Sequence, residues 1–220
     1  MMIKLENVTK IYKTGDIDKV ALDGVSLTIE DGEMVAIMGP SGCGKTTLLN
    51  MIGCMDDITS GTYYVDDFCV SDLKGVKLAR FRKKNVAFVF QQFALMKDYT
   101  VYENIELPLV INCVKKKERK EIVVDLIRKM GLSEVAKKKV TNISGGQQQR
   151  CAIARALAVR GKILLADEPT GALDQKTGND IMDVFKQLHA EGNTIVIVTH
   201  DPNVASKCKR IIEICDGKIV

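Results

Sequence analysis

The sequence predicts an α/β fold, a mostly parallel sheet flanked by helices with a helical lobe inserted into it. Three observations predict it. The apolar run Met34–Met38 leads into Gly39, Pro40, Ser41, Gly42, Cys43, Gly44, Lys45 and Thr46, which fits G-x-x-x-x-G-K-[ST], and a helix-like stretch at 47–52 follows. The runs at 163–166 and 195–198 are apolar without alternation, as expected of strands buried on both faces. Between Gln91 and Arg160 the strand signals vanish and helical spacing takes over.

The elements follow in order. Residues 3–8 alternate apolar and polar side chains and read as a first strand, not a signal peptide. Further strands are expected at 25–29, 34–38, 61–65 and 86–90, then at 163–166, 194–198 and 210–215. In the inserted interval, Ile122, Val123, Leu126, Ile127 and Met130 place a helix over 118–130, and the Ala-rich stretch 147–159 is a second. The domain reading is therefore one unit over 1–220, with a core formed by 1–91 and 161–220 and a helical subdomain at 92–160.

The composition excludes several classes. The chain has 220 residues, 46% hydrophobic and 27% charged, which suits one domain with its own core. Its apolar runs fall far short of the roughly 20 residues that a membrane-spanning helix needs. Seven cysteines without a C-x-x-C pair or clustered histidines indicate neither a disulfide scaffold nor a zinc site. Cys43 stands apart because it lies in the glycine-rich loop, where amides and Lys45 favour a thiolate; its alkylation is expected to block the loop. The net charge of +4 is gathered in basic runs around Arg80–Lys84, Lys115–Lys117 and Lys137–Lys139. Two readings stand for them: solvated faces, or a weak attraction to an anionic membrane surface. Aromatic residues make up 5% and do not interleave with these runs, so a nucleic-acid groove built on stacking is not expected.

Three motifs carry chemistry. In the glycine-rich loop, backbone amides converge on phosphates, Lys45 neutralises β- and γ-phosphate charge, and the Thr46 hydroxyl is placed for Mg²⁺. The strand at 163–166 delivers Asp167 and Glu168 to its C-terminal edge, where open α/β sheets bind ligands; Asp167 suits the Mg²⁺ shell and Glu168 the polarising of a water. To the same edge, and so to the same second motif, the strand at 194–198 brings His200 as a sensor of the γ-phosphate. The third is Ser144, Gly145, Gly146 and Gln147: a helix N-cap with accessible amides, hence a second anion site in one chain.

These motifs, in this order and spacing, resemble the nucleotide-binding domain of an ATP-binding cassette (ABC) transporter across essentially the whole chain. The Ser-Gly-Gly-Gln signature separates that family from other phosphate-loop ATPases. The resemblance implies a phosphate-loop NTPase core of the ABC ATPase type with an N-terminal antiparallel β subdomain and an inserted α-helical subdomain. It implies ATP and Mg²⁺ as ligands, with Gly39, Ser41, Gly42, Cys43, Gly44, Lys45, Thr46 and Thr47 around the phosphates. Tyr12 resembles the aromatic that stacks on adenine, although surface packing is an equal reading from its position. Gln91 resembles the Q-loop glutamine that reaches Mg²⁺ and water, and Gln92 competes for the role. Asp174 resembles the D-loop aspartate that communicates across a subunit interface. By the same resemblance, Ser144 to Gln147 cover the γ-phosphate held by another subunit, in a head-to-tail homodimer with two ATP molecules between. Two departures are Ile143, where the family usually has Leu, and Val140, where close relatives often carry Pro.

Within the family, residues 90–93, 102–109 and 169–174 are most similar to the branch of macrolide-exporter, lipoprotein-release and peptide-antibiotic-resistance ATPases. That implies an ATP-hydrolysing subunit driving a membrane permease, carried on another polypeptide or a continuation of this one, for export or extraction of a peptide, drug or lipoprotein. It also implies a cytoplasmic protein, peripheral on the inner face of the cell membrane through the permease alone. The alternative is an ATP-dependent switch that signals through a membrane partner, as cell-division relatives do.

Overall fold

Alternate residues of the central strands point to opposite faces of one sheet, and both faces are covered. The computed structural model describes residues 1–14 and 17–220. Its strands and helices are β1 (Ile3–Thr14), β2 (Ile17–Ile29), β3 (Met34–Met38), α1 (Lys45–Ile52), β4 (Ser60–Val65), β5 (Phe68–Cys69), α2 (Val76–Asn85), β6 (Val86–Val89), α3 (Val101–Ile111), α4 (Lys116–Lys129), α5 (Gly145–Leu157), β7 (Ile163–Asp167), α6 (Gln175–Ala190), β8 (Thr194–Val198), α7 (Pro202–Ala205), β9 (Arg210–Cys215) and β10 (Lys218–Ile219). One sheet is ordered β10-β9-β3-β8-β7-β6, and the other β2-β1-β4-β5. In the first, β9, β3, β8, β7 and β6 are mutually parallel and β10 is antiparallel. The second is antiparallel throughout.

The uninterrupted apolar runs follow from this placement. Leu164, Ala166, Ile195 and Ile197 join one core with residues of α3, α5 and α6. Their neighbours Ile163, Leu165, Val196 and Val198 join the other, with Leu48, Leu49 and Ile52 of α1 and Ile3, Leu5 and Ile29 of the antiparallel sheet. With every side chain of these strands buried, alternation has no face to solvate. Each fully buried Leu or Ile contributes about 1.5–3 kcal/mol relative to exposure, so the strands are held from both sides. Because β3, β7 and β8 are parallel, their C-terminal ends lie on one edge, which brings residues near 39, 167 and 199 together.

Three elements differ from expectation. β1 and β2 run well past 3–8 and start well before 25–29. They form a long hairpin whose outer half carries Lys10, Lys13, Asp18 and Lys19, so backbone pairing rather than apolar burial extends it. Register shifts between Leu5 and Ile11 and a positive φ at Asn7 (50°) also break the alternation that a sequence reading follows. Helix α2 was not foreseen; it buries none of its residues fully, and the half-buried Leu78 and Phe81 that pack against the core make an apolar stripe too short to mark it. Among the described residues no helix is long and apolar enough to cross a membrane.

Candidate functional site

The loop between β3 and α1 is shaped by glycine where no other residue fits. Gly39 (φ 153°) and Gly44 (φ 108°) both lie in the positive-φ region. A Cβ on Gly39 would collide with the Ile214 carbonyl oxygen, and one on Gly44 would meet the Ala21 carbonyl oxygen at 2.5 Å. The loop is thereby pressed onto β2 and β9. Lys45 Nζ donates to the Gly39 carbonyl at 2.8 Å and the Pro40 carbonyl at 2.7 Å, which holds the ammonium over the loop. A cleft of about 480 Å³ opens there. It is lined by Ser41, Gly42, Gly44, Lys45, Thr46 and Thr47 from the loop and α1, by Tyr12 from β1, by Gln91 after β6, and by Asp167, Glu168 and His200 from the strand ends. Gln91 lies in the lining and Gln92 does not.

The carboxylates meet the loop from the opposite wall. Thr46 Oγ1 donates to Asp167 Oδ2 at 3.4 Å. Burial, and next to it the charge of Glu168, push the Asp167 carboxyl above the usual carboxylate range, against the opposing Thr46 hydrogen bond and Lys45 charge. Two hard oxygens, one of them on a carboxylate, are the donor set that Mg²⁺ takes from a protein, the remaining ligands being phosphates and water. The residues present fit that ion. Glu168 Oε1 is 2.7 Å from His200 Nδ1, and Glu168 Oε2 accepts from Thr199 Oγ1 at 3.4 Å. The His200 side chain is 72% exposed and that of Glu168 12%, so the imidazole tops the carboxylate at the cleft's rim.

Tyr12 stands at the other end. Its hydroxyl donates to Asp56 Oδ2 at 2.7 Å, and Lys10 Nζ, bound to Asp56 Oδ1 at 2.6 Å, lies 4.9 Å from the ring centroid. The ring is thus fixed by its polar tip while the residue remains 37% exposed. Asp56, which orients it, was not singled out from sequence; a carboxylate after a helix has no spacing that marks it.

The second anion motif is elsewhere. Among the described residues, none of Ser144, Gly145, Gly146, Gln147 or Asp174 lines the cleft. Ser144 caps α5: its hydroxyl accepts from Gln147 N at 3.3 Å, and Gln147 Oε1 accepts from Ser144 N at 3.0 Å. Asp174 caps α6, accepting from Thr177 N at 3.0 Å and from Thr177 Oγ1 at 2.6 Å, contacts that hold its carboxyl below the usual range. The two helix starts abut. A Cβ on Gly146 would collide with Thr177 Cγ2, so this glycine is required for packing as well as for open amides.

The family profile described as ABC transporter matches residues 22–171, well over half the chain. The chain belongs to the ABC transporter family. Over 219 residues this cassette is 48% identical to a protein of Hyphomonas neptunium named macrolide export ATP-binding/permease protein MacB, covering 100% of the chain and 34% of that relative. It therefore spans about a third of the length of the MacB relatives. It is 47% identical over 219 residues to the uncharacterized ABC transporter ATP-binding protein YvrO of Bacillus subtilis, covering 100% of the chain and 96% of YvrO. A solved structure described as a dimeric post-hydrolysis state of the ATP-binding cassette MJ0796 bound to ADP and Pi matches with a TM-score of 0.90 and 47% identity, over 99% of this chain and 96% of that one. MJ0796 is from Methanocaldococcus jannaschii. The fold is thus that of an ABC ATPase cassette, with the antiparallel β subdomain and inserted helices expected.

One expectation is corrected. Cys43 is 6% exposed and joins the core beneath the loop, with its Sγ 4.0 Å from Lys45 Nζ, so its thiol does not present itself for alkylation as expected. Two residues of α5 escaped the sequence reading of this cassette. Arg155 donates to the Phe93 carbonyl at 2.9 Å and the Ala94 carbonyl at 2.5 Å, gripping two successive positive-φ residues (58° and 49°) just after Gln91. Gln149, fully buried, donates from Nε2 to the Pro169 carbonyl at 2.7 Å. Within a run of three glutamines, only the helical phase tells which one turns inward.

Proposed function

We propose that this chain is the ATP-hydrolysing subunit of an export-type ABC transporter, and that two copies close head to tail around two ATP molecules. One observation carries the reading: the capped start of α5 at Ser144 stands outside the cleft that gathers Lys45, Thr46, Asp167, Glu168 and His200. A helix N-terminus with free amides attracts phosphate, yet the chain's own phosphate loop already supplies such donors. A two-fold pair resolves the duplication, because each Ser144 motif then faces the partner's cleft. The dimeric MJ0796 structures, similar over nearly the whole chain, support that arrangement.

In this reading the loop amides and Lys45 hold the β- and γ-phosphates, and Tyr12 offers its face to the adenine. Thr46, Asp167 and Gln91 are the residues that would hold Mg²⁺, which when bound neutralises phosphate charge. Glu168 orients the attacking water and accepts its proton, and His200 holds the Glu168 carboxylate from the rim. Ser144, Gly145, Gly146 and Gln147 of one subunit complete the γ-phosphate site of the other, with Asp174 beside the joint. We assign 1–91 and 161–220 to the nucleotide-binding core and 92–160 to the helical subdomain. The membrane partner is a permease, so the chain works at the cytoplasmic face and moves a peptide, drug or lipoprotein by opening and closing the pair. Specific activity measured against subunit concentration tests this: activity per subunit should rise as pairs form, and a value independent of dilution would contradict it.

A further inference from the structure

Glu168 sits in a backbone conformation that its neighbour disfavours. Its φ is 46°, a region non-glycine residues seldom enter, and of the positive-φ non-glycine residues described it is the one followed by a proline. A residue before proline is pushed towards extended backbone. The strained turn must therefore be held by what surrounds it. From the sheet side, Glu168 N donates to the Val198 carbonyl at 2.9 Å. From the side of the inserted helices, Gln149 Nε2 donates to the carbonyl of Pro169 itself.

Gln149 is an expensive way to fill that space. It is 0% exposed, and its Oε1 has no hydrogen-bond partner among the described residues. A buried acceptor left unpaired is unfavourable, and an apolar side chain of similar length would pack without that cost. What the apolar side chain could not do is hold the Pro169 carbonyl. We propose that Gln149 is a positioning residue for hydrolysis: it clamps the strained Glu168–Pro169 turn so that the Glu168 carboxylate stays beside His200. Because Gln149 lies one and a half turns after Ser144 on α5, the helix that reads the partner's γ-phosphate also sets the carboxylate of its own chain.

The inference rests on the proposed role of Glu168, and the test separates the two. Gln149→Met keeps length and removes the donor. It should lower kcat about tenfold or more, as misplacement of a catalytic group does, while KM for ATP stays within about twofold. Added to Glu168→Gln, it should leave ATP-dependent pairing intact, which a general packing defect would not. Pro169→Ala frees the residue before it, so in the Gln149→Met background it should restore much of the lost kcat. A kcat within about twofold of wild type, or parallel loss of kcat, KM and pairing, overturns the clamp. Should Gln149→Met not fold, Pro169→Ala alone decides: kcat near wild type is expected with Gln149 in place, and a loss of about tenfold would assign the turn to the proline ring instead. Undiminished hydrolysis by Glu168→Gln would overturn the underlying reading, not the clamp alone.

Discussion

His200 Nδ1 lies 2.7 Å from Glu168 Oε1, joining the ends of the adjacent strands β8 and β7 across the mouth of the cleft. Neither residue could reach the other from its place in the sequence. The parallel pairing of the two strands, with Asp167 opposite Val198, sets them side by side.

That pairing gives the first prediction. Glu168→Gln keeps the side chain's size and most of its hydrogen bonding but removes the base, so hydrolysis should fall by about 10²-fold or more. ATP binding should survive, and gel filtration in Mg-ATP should show a stable pair. A variant that hydrolyses like wild type, or stays monomeric at saturating Mg-ATP, counts against the assignment.

Asp167 gives the second. Its carboxyl is pushed up by burial and then by Glu168, so the folded chain holds this proton more tightly than the unfolded chain does. The charged form is thus a cost, present at pH above the folded pKa and lost as pH falls through it. Asp167→Asn should raise Tm at neutral pH and give no gain in strong acid, below the ordinary Asp pKa of about 3.9. With Mg-ATP the order should reverse, since the wild type keeps the carboxylate that would hold Mg²⁺ and gains more from the ligand than the variant does. Thermal melts across pH, with and without Mg-ATP, check both signs.

The third concerns the joint between α5 and α6. Gly146→Ala forces a methyl onto Thr177 Cγ2 and should cost about 1–3 kcal/mol. Thr177→Ser removes that methyl group and keeps the hydroxyl that binds Asp174. The double variant should therefore regain most of the loss in urea melts, and simple additivity would show that the collision is not the cause.

What could be read in advance was whatever chemistry fixes by residue type and spacing. A phosphate loop needs its glycines, Lys45 and Thr46 in one order, and buried parallel strands need unbroken apolar runs. The hairpin of β1 and β2 escaped because its outer half is held by backbone pairing among charged residues. Helix α2 escaped because its contact with the core rests on two half-buried residues, Leu78 and Phe81, too few to set a period. Gln149, Arg155 and Asp56 escaped for another reason: each acts through one or two contacts with groups distant in the sequence, and such contacts leave no period in it. Cys43 was misread because loop membership says nothing about which way a side chain turns; here it turns into the core.

In the proposed pair each active site is built from two chains. Subunits carrying Ser144→Arg and subunits carrying Glu168→Gln should each be inactive alone. Mixed, they form pairs in which one site joins an intact Glu168 to an intact Ser144 motif. ATP hydrolysis should reappear on mixing the two inactive proteins; a mixture that stays at the background of its components would contradict the account.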